Sequence, residues 1–187
     1  VAAAAARLQV DCYAIGGFVR DKLLGRETKD IDIVCIGDGI ELAQTVAGAF
    51  RPVPQVAVFK NYGTAQIKIK LKDESVLEIE FVGARKESYS TGSRNPAVSP
   101  GSLEDDQDRR DFTINALAIS LNKSNYGVLL DPFGGMQHLE EKLIKTPLEP
   151  GKTFSDDPLR MMRAIRFASQ LHFTIDKETL ASINEHA

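Results

Sequence analysis

The chain has 187 residues, 43% of them hydrophobic, and a formal net charge of −3. That suffices for one sizeable globular domain, or for one domain plus the start of a second. It excludes a protein that coats nucleic acid through a global basic field, but not one that grips RNA with a local patch of arginines.

Val1 to Ala6 are small and apolar. They are too short to span a bilayer and lack the basic start of a secretory leader, so Ala2 to Gln9 reads as a helix. Cys12 to Ile15 is a short apolar strand ending at Gly16-Gly17, and Phe18 to Leu24 has helical spacing that stops at Gly25. Ile31 to Ile36 is a strand entered through carboxylates, and Ile40 to Phe50 is a helix. Val53 to Phe59, Thr64 to Leu71 and Val76 to Val82 are strands, the last two joined as a hairpin through Lys72-Asp73-Glu74-Ser75. Arg85 to Gln107 has little periodicity and reads as a long loop, either functional or disordered, with Ser90 to Gly101 expected to move and close over a ligand. Phe112 to Leu121 returns to core-like composition. Leu129-Leu130-Asp131 leads into the turn Pro132-Phe133-Gly134-Gly135, and Met136 to Lys142 is a short helix.

After Pro147 and Pro150 the character becomes helical. Pro158 sits just inside a helix start, with Asp156 or Asp157 as its cap. Met161, Ala164, Ile165, Ala168 and Leu171 recur at helical spacing. A second helix runs from near Asp176 to Ala187, and the pattern is expected to continue beyond it. The reading is a catalytic domain over residues 1–150 and the start of an all-helical neck over 151–187. No stretch is suited to crossing a membrane, so a cytoplasmic protein is expected. Cys12 and Cys35 lie in apolar strands and read as buried, reduced thiols; no spacing suggests a disulfide framework or a zinc site.

Three features carry chemistry. Gly16-Gly17 between strand and helix lets the backbone approach a phosphate, and Arg20 one turn later adds a forked donor. Alone, such a pair is more often just a tight turn. Asp30 and Asp32 are two apart on a strand and so share a face. Two adjacent carboxylates repel unless a cation sits between them, which suits magnesium, a hard ion that keeps room for phosphates. A third acid would complete a two-metal site. Glu78 and Glu80 both offer one on a single strand face, Glu80 being preferred, while Leu77, Ile79 and Phe81 face the core.

The segment from Gly16 to Val34 closely resembles the signature of the class II tRNA nucleotidyltransferases (CCA-adding enzymes) and bacterial poly(A) polymerases. Arg109 to Ala116, Asp131 to Gly135 and Asp156 to Ala164 resemble that family's second, third and fourth motifs, in family order. One such motif would be weak evidence; four in order are specific. The resemblance implies an α/β fold, a nucleotidyltransferase palm of mixed sheet and packed helices. It implies template-independent addition of C or A from CTP or ATP to the 3′ end of tRNA, with magnesium held by Asp30 and Asp32 and Glu80 as third acid. Gly16, Gly17, Arg20, Arg110, Asp111 and Asn115 would surround the triphosphate and sugar. Asp157 and Arg160 would read the base edge, and Arg163 would extend the basic stripe. A poly(A) polymerase, a partial CC- or A-adding enzyme, a nucleotidyltransferase for a small molecule or protein (which the Asp157/Arg160 pair argues against), and a non-catalytic RNA- or nucleotide-binding module are the alternatives. Two departures stand out: Asp156 where the family has Glu, and His138 where its third motif has an acid. No motif speaks to oligomeric state.

Overall fold

A computed structural model describes residues 1–88 and 97–186. Its centre is a seven-stranded mixed sheet in the order β3-β4-β5-β2-β1-β8-β9. The strands are β1 (Cys12–Ile15), β2 (Asp30–Cys35), β3 (Val56–Phe59), β4 (Thr64–Lys70), β5 (Val76–Gly83), β8 (Ala118–Ser120) and β9 (Leu129–Leu130). Within this sheet β2 and β5 run parallel and the other neighbours antiparallel. The mixed α/β palm expected from the sequence is therefore present.

Period-two alternation makes the two faces of this sheet unlike. Ile33, Cys35, Ile67, Ile79 and Phe81 join Leu42 and Val46 in the main core. The last two come from α3 (Gly39–Ala47), which Asp38 caps by accepting from the Ile40 and Glu41 N–H groups. Its neighbour α1 (Ala2–Leu8) buries Ala4 and Ala5 in the same cluster. Ile15, Val34, Ala84 and Ala118 form a smaller apolar patch, packed against Tyr13, Val82, Leu103 and Leu130. Val34 shares its face with Asp30 and Asp32, so the acids border a patch that anchors their strand without covering them.

The β4–β5 hairpin turns where expected, with Leu71 N–H donating to the Ser75 carbonyl. β3 begins only at Val56, because Pro52 and Pro54 supply no N–H to a ladder. The stretch read as a long loop contains regular elements among its described residues. β6 (Arg85–Ser88) pairs antiparallel with β7 (Ala97–Pro100), and α4 (Leu103–Asp108) follows. β7 is exposed throughout, so it has no buried face to leave a periodicity. α4, by contrast, announces itself: Ser102 and Asp105 form a reciprocal capping box. The expected closure of Ser90 to Gly101 falls largely outside the described residues, which resume at 97.

Asp131 caps α5 (Gly135–Glu140), accepting from the N–H groups of Gly135 and Met136 at 2.6 and 2.9 Å. A Cβ on Gly135 would lie 2.6 Å from the Thr113 carbonyl oxygen. The glycine thus lets this helix pack directly on the backbone of the second motif. Next come β10 (Leu143–Ile144), α6 (Pro150–Asp156), α7 (Leu159–Leu171), β11 (Thr174–Ile175) and α8 (Lys177–His186). β10 and β11 pair in parallel, and Phe154, Ala164, Phe167 and Leu171 belong to the main core. α6 was not anticipated; its start is marked by Glu149, which accepts from the Gly151 and Lys152 N–H groups. Pro158 occupies the cap of α7, with Asp157 just before it. The buried face of α7 is Arg160, Ala164, Phe167 and Leu171. Ile165, expected to face inward, is 51% exposed. Arg160 displaces it because its guanidinium finds carbonyl acceptors inside. Among the described residues no helix is long and apolar enough to cross a membrane.

Candidate active site

β1, β2 and β5 bring the glycine turn and the acids into register. Ile15, next to the turn, faces Asp32, and Asp32 in turn faces Glu80. Asp30 faces Glu78 one step along. The two candidate third acids differ in their company. Glu78 accepts from Lys68 Nζ at 2.6 Å and Gln66 Nε2 at 2.9 Å. Glu80 stands beside Asp32, and burial followed by the Asp32 charge pushes its carboxyl upward. Burial also raises the Asp32 carboxyl, Arg110 opposing and Asp30 reinforcing the shift. Glu80 is thus the acid electrostatically joined to Asp32. Among the described residues, however, no three His, Cys, Asp or Glu side chains are gathered closely enough to hold a metal ion.

Gly16 adopts φ +79°, a region L side chains rarely enter, and a Cβ there would lie 3.1 Å from Arg110 Nη1 and 3.3 Å from Asp32 Oδ2. It is the floor on which the acid and the guanidinium meet. Gly17 is different: a Cβ would make only ordinary contact, 3.5 Å from Arg20 Nη2. It opens α2 (Gly17–Leu23), a helix of two turns that buries Val19 and Arg20.

A cavity of about 480 Å³ lies beside Asp32, and Gly17, Arg20, Arg109, Arg110, Asp111, Asn115, Asp157, Arg160, Arg163 and Phe167 line it. The arginines are held by one another's partners. Arg20 donates to Asn115 Oδ1 at 2.6 Å and, through Nε and Nη2, to Asp21 at 3.0 and 2.9 Å. Asn115 donates to Asp111 Oδ1 at 2.9 Å, and Arg163 Nε donates to Asp111 Oδ2 at 2.6 Å. Asp111 and Asn115, four residues apart, therefore meet across a 3-10 turn (Thr113–Asn115) that follows extended Phe112, not on an α-helix. Both act here as connectors between Arg20 and Arg163.

Arg160, 9% exposed, donates to the carbonyls of Arg109 at 2.7 Å and Thr153 at 3.4 Å. Asp157 accepts from the Leu159 N–H at 3.1 Å. The proposed base-reading pair thus borders the cavity while being held by backbone groups, Asp157 by its own helix start and Arg160 by the distant Arg109 carbonyl.

Sequence reasoning missed the residue at the centre of the arginine cluster. Asp106 is fully buried, forms an ion pair with Arg109, and accepts from Arg110 Nε and Nη2 at 3.1 and 2.8 Å. Although burial favours the neutral acid, Arg110 and Arg109 bring its carboxyl below the usual aspartate range. Burial likewise works against the Arg110 charge, but Asp106, and then Asp32 and Asp111, hold it above the usual value. The signal was present: Asp106 lies three and four residues before the two arginines, the spacing of helical ion pairs. Phe167 was missed too. Its ring carries Arg20, Arg163 and Arg166 at 5.0, 5.3 and 4.9 Å from its centroid and meets Phe112 edge-on at 5.9 Å. A single aromatic at core spacing gives no hint of that. Cys12 and Cys35 are free and buried, as expected, and burial pushes their thiols up to about 11 and about 12.

Known proteins resemble this chain in sequence and fold. An A-adding tRNA nucleotidyltransferase of Aquifex aeolicus is 46% identical over 167 residues, covering 89% of this chain but 19% of the relative. The CCA-adding enzyme of Geobacillus stearothermophilus is 37% identical over 178 residues, covering 95% of this chain and 41% of the relative. The structure of a tRNA nucleotidyltransferase complexed with a primer tRNA and an incoming ATP analog superposes with TM-score 0.83 at 39% identity, covering 99% of this chain and 49% of the other. This chain therefore spans from about a fifth to half the length of these relatives. The model of the poly A polymerase head domain matches residues 12–145. With the glycine turn, the strand-borne acids and the second and third motifs all inside that span, the chain belongs to the poly A polymerase head domain family.

Proposed function

We propose that this chain is the catalytic head of a nucleotidyltransferase that adds C or A to the 3′ end of tRNA without a template. The carrying observation is Asp32, the cross-strand partner of Glu80, in the lining of a cavity bordered by five arginines. Acids on one side and fixed cations on the other suit a reaction between a hydroxyl and a triphosphate.

In this reading the 3′-oxygen of the RNA forms a bond to the α-phosphorus of CTP or ATP. The bond to the bridging oxygen breaks, pyrophosphate leaves with the electron pair, and the hydroxyl proton passes to a carboxylate or to water. Positioning and charge stabilisation supply most of the rate. Arg110 and Arg20 hold the phosphates, Gly16 gives them room, and Asp111 and Asn115 keep Arg20 and Arg163 in place. Asp157 accepts from the exocyclic amine of C or A, and Arg160 donates to the ring. G and U would leave those groups unpaired.

The donor set fits magnesium: Asp30 and Asp32 are hard oxygen ligands on one face, and this ion takes only one or two carboxylates when phosphates complete its shell. Bound there, it would neutralise phosphate charge and make the hydroxyl a better nucleophile. Glu80 adjoins Asp32 as the third acid. Residues 151–187 would be the start of a helical neck, and a cytoplasmic location goes with tRNA as substrate.

Addition of the terminal A alone is the second reading. Two of the relatives, 46% and 42% identical, are A-adding tRNA nucleotidyltransferases. The test is to offer the full-length protein each labelled nucleotide with magnesium and tRNAs lacking CCA or lacking only A, then sequence the product ends. Ordered C, C, A addition establishes the CCA-adding reading, and A on the CC-ended tRNA alone establishes the second. A long A tract would make it a poly(A) polymerase, and no product from any nucleotide would refute catalysis on tRNA.

A further inference from the structure

Two cavities meet the acidic strands from opposite sides. The arginine-lined cavity reaches Asp32 from the side of β1, α2 and α7. A second, of about 390 Å³, reaches Glu80 from the side of β4 and β3 and is lined by Phe59, Tyr62, Thr64, Gln66, Glu80 and Arg85. Since Asp32 and Glu80 are cross-strand partners, the acids form the seam between the two. Gln66 faces Glu80 and Ala57 faces Gln66, so Phe59, two residues beyond Ala57, shares the sheet face of the acids.

We propose that this second cavity receives the 3′-terminal nucleotide of the acceptor RNA, with Phe59 and Tyr62 as its stacking platform. The inference rests on the nucleotidyltransferase reading and adds where the second substrate enters. In phosphoryl transfer the attacking and leaving oxygens lie roughly in line through phosphorus. The arginines gather the triphosphate on one side of the acids, so the attacking hydroxyl arrives from the other, where this cavity opens.

The lining suits that occupant. Phe59 and Tyr62 are 47% and 72% exposed at the end of β3 and in the 3-10 turn Lys60–Tyr62. Exposed aromatic faces bind unpaired bases by stacking, which tolerates any base. Tolerance is what an end that changes identity with each addition requires. Arg85 pairs through Nη2 with Glu87 at 2.9 Å, while its buried Nε–H has no acceptor among the described residues. A ribose or phosphate oxygen of the RNA would supply one. Thr64 lies beside Glu80 in the lining and favours the charged form of the acid.

The test uses the full-length protein and a tRNA acceptor-stem RNA carrying a fluorescent 2-aminopurine as its last nucleotide, with no nucleoside triphosphate present. Wild type should quench the fluorophore by stacking; Tyr62→Ala and Phe59→Ala should lose that quench, and Tyr62→Phe should keep it. In steady state each alanine variant should raise KM for tRNA about tenfold or more, with KM for ATP unchanged. Tyr62 is too exposed for its truncation to unfold the protein, so that variant reads binding. Unchanged quench and unchanged KM for tRNA in an active protein would overturn the aromatic subsite alone, as would a rise in KM for ATP instead. A wild type that extends no RNA with any nucleotide would overturn the underlying reading and this proposal with it.

Discussion

The two faces of the β2–β5 pair do opposite work with the same backbone. On one face Ile33, Ile79 and Phe81 are almost wholly buried and form the centre of the main core. On the other, Asp30, Asp32 and Glu80 stand next to one another at an electrostatic cost that burial raises for Asp32 and Glu80. The contrast teaches that alternation lets one strand hold the sheet with Ile33 and Cys35 while carrying Asp30 and Asp32 on its other face, before Val34 returns that face to apolar packing.

Substitutions on either face are the most direct way to break that contrast. Phe81→Ala should lower unfolding free energy by about 4 kcal/mol, the range for truncating a buried phenylalanine. Asp32→Asn should leave the denaturation midpoint unchanged or raise it, because it removes a charge carried against burial and a neighbouring acid. Urea titrations of both variants check this; a large loss from Asp32→Asn would mean the acid is structural.

Asp106 sharpens the contrast, since it is a buried acid whose charge is satisfied. Asp106→Asn should cost about 3 kcal/mol, as breaking a buried pair from one side does. The sign of its pH dependence is opposite to that of the strained acids. Because its folded carboxyl sits below the ordinary aspartate value, its stabilisation is present above about pH 4 and lost as pH falls through the folded value. The wild type should therefore lose stability towards acid more steeply than Asp106→Asn, measured as urea midpoint against pH. Parallel curves would contradict the clamp.

Smaller effects follow. Gly16→Ala should cost about 1–3 kcal/mol for the left-handed backbone alone and displace Arg110 or Asp32, whereas Gly17→Ala should cost little; thermal melting of the pair distinguishes them. Cys12 and Cys35 should resist a thiol reagent in the native state at pH 8, since both thiols stay protonated and buried. Rapid labelling without unfolding would mean the sheet opens locally there.

Most of the fold was legible because its signals are local. Strand alternation in β4 and β5, the glycine stop after α2 and the acidic entry of β2 each follow from a few adjacent residues. What was missed depends on distant partners. β7 pairs with β6 without burying a face of its own, and Arg160 turns inward only because the carbonyls of Arg109 and Thr153 are there to receive it. The acids were readable from their period, and the arginines from the resemblance. That Asp111 and Asn115 link two arginines, and that Phe167 packs against three, emerges only when α7 meets the turn at Thr113–Asn115.

The central claim is that Asp30 and Asp32 do chemistry and do not merely accompany a nucleic-acid surface. The decisive measurement pairs single-turnover incorporation of ATP and CTP into tRNA with a gel-shift titration of the same tRNA, for wild type and Asp30→Ala/Asp32→Ala. The account predicts that the double variant loses incorporation entirely while binding tRNA as wild type does. A wild type that binds tRNA without extending it, or a double variant that still extends it, would contradict the account.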